Sequence, residues 1–114
     1  MAIKDGFLLK NMNDQITQVT KILNQGGIVI FPTDTAFGIG CRIDNEDAVK
    51  RLFKIRNRPQ SQAVPALVSD LEMARKYAEE VSEDVIKKLI EPYWPGALTI
   101  VLKANKKNKQ KKFF

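Results

Sequence analysis

Apolar positions along the chain fall into short runs with two different periods. In NDQITQVTKILNQ, residues 13–25, Ile16, Val19, Ile22 and Leu23 recur at the spacing of one helix face. Asn13 or Asp14 is placed to cap that helix, and Gly26 and Gly27 to stop it. IVIF, residues 28–31, is a β-branched apolar run that predicts a buried strand, closed by Pro32 because proline cannot continue a hydrogen-bond ladder. A second short strand is predicted around 37–41. Helical period returns from Asn45 to about Ile55, with Ala48, Val49, Leu52 and Phe53 on the apolar face and Asp44, Asn45, Glu46 and Asp47 at the start.

VPALV, residues 64–68, reads as another strand. Ser69 with Glu72 forms a capping-box pattern that predicts a helix through about Glu79. Ser82 opens a further helix with Val85, Ile86, Leu89 and Ile90 on its buried side, ended by Pro92. ALTIVL, residues 97–102, is the last predicted strand. Alternating strands and helices place the chain in the α/β (α+β) class, with helices packed on a sheet. The 114 residues suit one domain, here assigned to 1–102, with 103–114 as a lysine-rich tail.

The formal net charge of +6 changes this picture only at one end. Lys103, Lys106, Lys107, Lys109, Lys111 and Lys112 lie in KANKKNKQKKFF; without these six, 13 basic residues face 13 acidic ones. The body is neutral and the ending reads as a solvated tail able to attract phosphate. Phe113 and Phe114 have no evident core to join. No apolar run is long enough to span a bilayer, and the charged amino terminus is unlike a signal peptide, so the expected location is cytoplasmic. One cysteine, Cys41, and no histidine leave no conventional zinc site and no histidine base. Any catalysis must use carboxylates, hydroxyls, Lys, Arg or backbone amides.

Three segments carry candidate chemistry. FPTDTAFGIG, residues 31–40, releases two threonines and Asp34 where a strand ends, a usual place for ligands in α/β proteins. Gly38 and Gly40 would allow close backbone approach. Local physics by itself favours an Asx or ST turn there. In FKIRNRPQSQ, residues 53–62, Arg56 and Arg58 flank Asn57 at a helix end, where guanidinium groups can grip phosphate or simply complement the helix dipole. PYWPGALT, residues 92–99, reads as a rigid corner around Trp94, with Thr99 as the hydroxyl that could face a ligand.

These residues together resemble the YrdC-like family, the threonylcarbamoyl-AMP synthases. GGIVIFPTDTAFGIGC is similar to that family's G-G-x-x-x-x-P-T-D/E-T-x-Y-G-L-G-C opening, with Phe37 for Tyr and Ile39 for Leu. RNRP resembles its K-x-R-P element with Arg56 for Lys, and PALV-SD and WPGALTIVL resemble later segments in the same order. The resemblance implies a YrdC-like (DHBP synthase-like) fold, a twisted mixed sheet around a positively lined cavity. It also implies an enzyme that joins ATP, L-threonine and bicarbonate into threonylcarbamoyl-AMP, releasing pyrophosphate, for modification of tRNA. Thr33, Thr35 and Phe37 would then shape the threonine side, Arg56, Arg58 and Thr99 the nucleotide side, and Mg2+ would accompany ATP; no residue is assigned as catalytic or as a metal ligand.

The resemblance runs through residues 13–103. The family's later arginine-bearing strand and Ser-x-Asn element have no counterpart, and Gln62 and Ala63 stand where Lys-Pro is common. The ending therefore reads as an interruption, even a frameshift scar, of a longer domain. Two readings follow: an enzyme, or the substrate-binding part of one; and a truncated, non-catalytic module binding nucleotide, tRNA or double-stranded RNA.

Overall fold

In the computed structural model, residues 3–4, 7–8 and 12–109 are described. They divide into two compact units, Met1–Pro59 and Gln60–Phe114.

The first unit holds two antiparallel strand pairs and two helices. β1 (Ile3–Lys4) pairs with β2 (Phe7–Leu8), Ile3 facing Leu8, a pairing the apolar pattern did not indicate. α1 (Met12–Asn24) begins before its predicted caps: Asn13 and Asp14 lie inside the first turn, where Asp14 complements the dipole. Val19, Ile22 and Leu23 are half-buried, whereas Ile16, one turn earlier, is 60% exposed.

The helix ends as predicted, and the geometry shows why a glycine is needed. Gly26 takes φ +79°, its N–H returns to the Leu23 carbonyl at 3.0 Å, and Gly27 N–H returns to that of Ile22 at 2.8 Å. This is a Schellman ending, in which a left-handed residue lets the last carbonyls find donors. A Cβ on Gly26 would also lie 2.8 Å from Asn45 Nδ2.

β3 (Val29–Pro32) and β4 (Phe37–Gly40) form a hairpin with Val29 opposite Gly40 and Pro32 opposite Phe37. Pro32 thus closes β3 from within the pairing. The predicted burial holds only for Val29: Phe31 is half-buried and Ile30 exposed. In a two-stranded ribbon one face lacks the second layer that would cover it. α2 (Glu46–Ile55) is capped by Asn45, whose Oδ1 accepts from Ala48 N–H at 3.0 Å. Ala48, Val49, Leu52 and Phe53 are all buried, as their spacing predicts; each of the three larger side chains contributes roughly 1.5–3 kcal/mol.

The second unit is built around Val81, Ile86 and Ile90, with Leu71, Trp94, Ile100 and Leu102 packed against them. α3 (Leu71–Arg75) is shorter than expected and capped one residue later: Asp70, not Ser69, accepts from Met73 N–H at 2.8 Å, and the Ser69 hydroxyl donates to Asp70. Ser82 caps α4 (Glu83–Val85), which passes through a π-helical stretch, Ile86–Ile90, into α5 (Glu91–Tyr93).

Pro92 therefore does not end this helix. Glu91 N–H reaches back five residues to the Ile86 carbonyl, and the wider turn accommodates a proline that has no N–H to offer the residue four before it. Ile86 and Ile90 are buried, Val85 half-buried, and Leu89 faces outward. Trp94 is a packed corner as predicted: its Nε1 donates to the Leu98 carbonyl at 2.8 Å.

Neither predicted strand of this unit joins a ladder among the described residues. Residues 63–68 form no regular element, with Leu67 72% exposed, and neither do 98–102, which follow a bend at 95–97, with Val101 95% exposed. An apolar run becomes a strand only when a second backbone lies alongside it. The α/β class stands, but the sheet present among the described residues is two antiparallel pairs rather than one mixed sheet. Among the described residues of this unit, pairing is confined to Ala78 opposite Ala104. The start of the lysine-rich segment is thus held, and α6 (Lys106–Lys109) follows it. Lys111, Lys112, Phe113 and Phe114 lie outside the described residues.

Candidate functional site

The tip of the β3–β4 hairpin is shaped by Thr33. Its N–H donates to the Ala36 carbonyl at 3.0 Å. Its Oγ1 accepts from Ala36 N–H at 3.1 Å and from Thr35 N–H at 3.4 Å, and donates to the Ala36 carbonyl. The ST turn expected from local physics is therefore present, and it is made by Thr33 alone. With that hydroxyl committed to the turn, the tip presents Thr35, Asp34 and the Phe37 ring, which is 68% exposed.

The glycines of β4 lie against a side chain of the facing strand. A Cβ at Gly38 would lie 2.7 Å from Phe31 Cε2, and one at Gly40 3.1 Å from Cε1. The close approach is that of the Phe31 ring, packed flat over the backbone opposite.

Arg56 and Arg58 are set by the end of α2. Arg58 N–H donates to the Phe53 carbonyl at 2.9 Å and Asn57 N–H to that of Lys54 at 3.1 Å, while Asn57 takes φ +49°. This second Schellman ending uses Asn where α1 uses Gly. It reverses the chain between the two arginines, leaving Arg56 exposed and Arg58 half-buried. Because backbone groups make this turn, the guanidinium groups are not needed to end the helix.

Five of the six predicted residues, Thr33, Thr35, Phe37, Arg56 and Arg58, belong to the first unit, and Thr99, which is exposed, belongs to the second. None of them lines the open hollow of about 670 Å³ in the first unit, which Asn24, Arg42, Asp44 and Lys50 border. Nor do they line the smaller, more apolar hollow of about 260 Å³ beside Trp94, Ile86 and Ile90.

A polar clamp at the base of the hairpin went unnoticed in the sequence. Arg51 donates to the Gly26 carbonyl, and Arg42 bonds Asp44 through Nε at 2.8 Å and Asn24 Oδ1 through Nη1 at 2.5 Å. These contacts tie the end of α1 to α2 and to the segment leaving β4. Their partners are up to 25 positions apart, so no local pattern announces them. Cys41 follows β4 half-buried; burial pushes its thiol up from the ordinary range, opposed by the Arg51 guanidinium.

Comparison with known proteins places this arrangement. Residues 21–113 match the sequence model of the Sua5/YciO/YrdC family, described as telomere recombination. The chain is 33% identical over 96 residues to a threonylcarbamoyl-AMP synthase of Vibrio vulnificus, covering 82% of this chain and 51% of that one. It is 32% identical over 94 residues to one of Bacillus subtilis, again covering 82% of this chain but 27% of the relative. The structure resembles that of P. abyssi Sua5 complexed with L-threonine, with a TM-score of 0.77 at 30% identity, over 86% of this chain and 28% of that one. The chain thus spans about half of the shorter relative and about a quarter of the longer ones. A match over most of its length, in sequence and in fold, makes this chain a member of the Sua5/YciO/YrdC family.

Proposed function

We propose that this chain carries substrate-binding walls of a threonylcarbamoyl-AMP synthase, which forms threonylcarbamoyl-AMP and pyrophosphate from ATP, L-threonine and bicarbonate for tRNA modification in the cytoplasm. The observation that carries the reading is the hairpin tip. Thr33 spends its hydroxyl on the turn, so Thr35 and Phe37 are left facing outward, ready to form the amino-acid side. The likeness to a Sua5 structure complexed with L-threonine supports the same assignment.

Arg56 and Arg58 would hold nucleotide phosphate, and Thr99 would lie on the nucleotide side. Magnesium would enter with ATP, held by phosphate oxygens. With no histidine in the chain, the work assigned to these residues is positioning and stabilising negative charge.

Calorimetry of ATP binding, with and without L-threonine and magnesium, tests this. Saturable binding that threonine strengthens is the expected result; absence of binding by a chain with intact helical signal would overturn the reading for this polypeptide. Arg58→Ala should weaken ATP binding about tenfold or more, the loss of a charge-assisted hydrogen bond. It should lower the unfolding midpoint proportionally less than the affinity, since the helix ending uses the backbone N–H of residue 58, which alanine keeps. Equal losses of binding and stability would assign Arg58 to the helix end instead.

A further inference from the structure

The hairpin that carries Thr35 and Phe37 is a ribbon of two strands, β3 and β4, and such a ribbon is marginal when it stands alone. Its direction depends on what holds its base. The chain enters it from the turn at Gly26 and Gly27 and leaves it at Gly40. Both passages are held by arginines. Arg51, an exposed residue midway along α2, donates through Nη2 to the Gly26 carbonyl. Arg42, just past the end of β4, donates through Nε to Asp44 Oδ1 at 2.8 Å and through Nη1 to Asn24 Oδ1 at 2.5 Å. The bond made by Arg51 is not one that α2 needs for itself: Asn45 caps that helix, backbone N–H groups end it, and Ala48, Val49, Leu52 and Phe53 bury its inner face. The same helix sets Arg56 and Arg58 at its end. One side chain therefore joins the support of the two arginines to the base of the ribbon that bears Thr35 and Phe37.

We propose that Arg51 is a positioning residue: by fixing the base of the hairpin on α2, it sets the Thr35 and Phe37 tip relative to Arg56 and Arg58. This assignment rests on the reading of those residues as the amino-acid and nucleotide sides of one site. At about 3.3 Å per residue, the four residues of β3 carry the tip roughly 13 Å from the base, so a rotation of about 5° there displaces the tip by about 1 Å. A displacement of that size is enough to lose most of an oriented contact. A guanidinium suits the task because its planar group offers donors in a fixed fork and keeps its charge, which gives the bond a defined direction.

Two measurements on the full chain test the assignment. In calorimetry, Arg51→Ala should change ATP affinity without threonine by less than about threefold, and should cut the strengthening of ATP binding by L-threonine about fivefold or more, the range of a real coupling between sites. Arg51→Lys keeps one charged donor and should restore part of that strengthening. Val49→Ala, which opens a cavity under the same helix, is the control for lost stability: it should lower the unfolding midpoint at least as far and keep the threonine effect. An undiminished threonine effect in Arg51→Ala, or an equal loss in Val49→Ala, would overturn the proposal. In amide hydrogen exchange without ligand, Arg51→Ala should speed exchange in the β3–β4 ladder about tenfold and leave Leu52 and Phe53 of α2 as they were. Exchange needs no substrate, so the two readings fail separately. A wild-type chain that binds neither ATP nor L-threonine sinks the substrate reading, whereas unchanged hairpin exchange in Arg51→Ala, or an equal rise in hairpin and helix, sinks the role of Arg51. Faster exchange confined to the hairpin upholds Arg51 as the group that fixes the ribbon on α2.

Discussion

The two units satisfy their backbones in different ways. The first does so locally: both long helices end in Schellman turns, α2 is capped by Asn45, and β3 and β4 are joined by a four-residue tip. Every partner in those motifs lies within a few residues. The second unit leaves 63–68 and 97–102 outside any ladder among the described residues, and holds itself by side-chain burial around Val81, Ile86 and Ile90. A helix carries its hydrogen bonds within itself, whereas a strand depends on another segment. A unit of helices and locally paired strands can therefore complete itself, while one with unpaired segments relies on packing.

The largest expected effect separates a buried helix face from an unpaired, exposed segment. Phe53→Ala, at a side chain 3% exposed, should cost about 3–5 kcal/mol in chemical denaturation. Val101→Ala, at one 95% exposed, should change stability by less than about 0.5 kcal/mol. A large cost at Val101 would mean that this segment is covered in solution, and the contrast between the units would collapse.

A smaller effect probes the local endings. Gly26→Ala should destabilise by about 1–2 kcal/mol, the cost of a Cβ in the left-handed region, and the close Asn45 amide leaves little room for relief. Asn57→Gly, at the equivalent position of the other helix, should be neutral or slightly stabilising. Similar outcomes at both sites would mean that the two endings are not equivalent in energy.

The smallest effect is a pH dependence confined to the second unit. The Met73 N–H, and after it the Ser69 hydroxyl, hold the Asp70 carboxyl below the ordinary aspartate range. A carboxyl with a lowered folded pKa binds its proton less tightly folded than unfolded. Its contribution is complete above the ordinary range and is lost as pH falls through that range toward the folded value. Asp70→Asn should flatten that acid limb in melting temperature against pH; an unchanged limb would place the acid sensitivity elsewhere.

Much of the candidate site is legible in the sequence because its chemistry is short-range. Thr33 to Phe37 are consecutive, and Arg56 to Arg58 follow directly on a helix whose apolar face and cap are spelled out between Asn45 and Phe53. The packing of Gly38 against the Phe31 ring was not legible because the two face each other across the hairpin. The clamp of Arg51 on Gly26 was missed because it joins two helices.

Amino-acid order alone determined where α1 and α2 stop, how α2 is capped and which residues it buries, and where the hairpin turns, because propensity, capping and period act over a few residues. Tertiary structure decided whether 64–68 and 97–102 would become strands, that a π turn would carry the chain through Pro92, and that the first lysines of 103–114 would be anchored on residues 76–79. Each of those outcomes depends on what lies alongside a segment, and proximity between distant parts of a chain is a property of the fold.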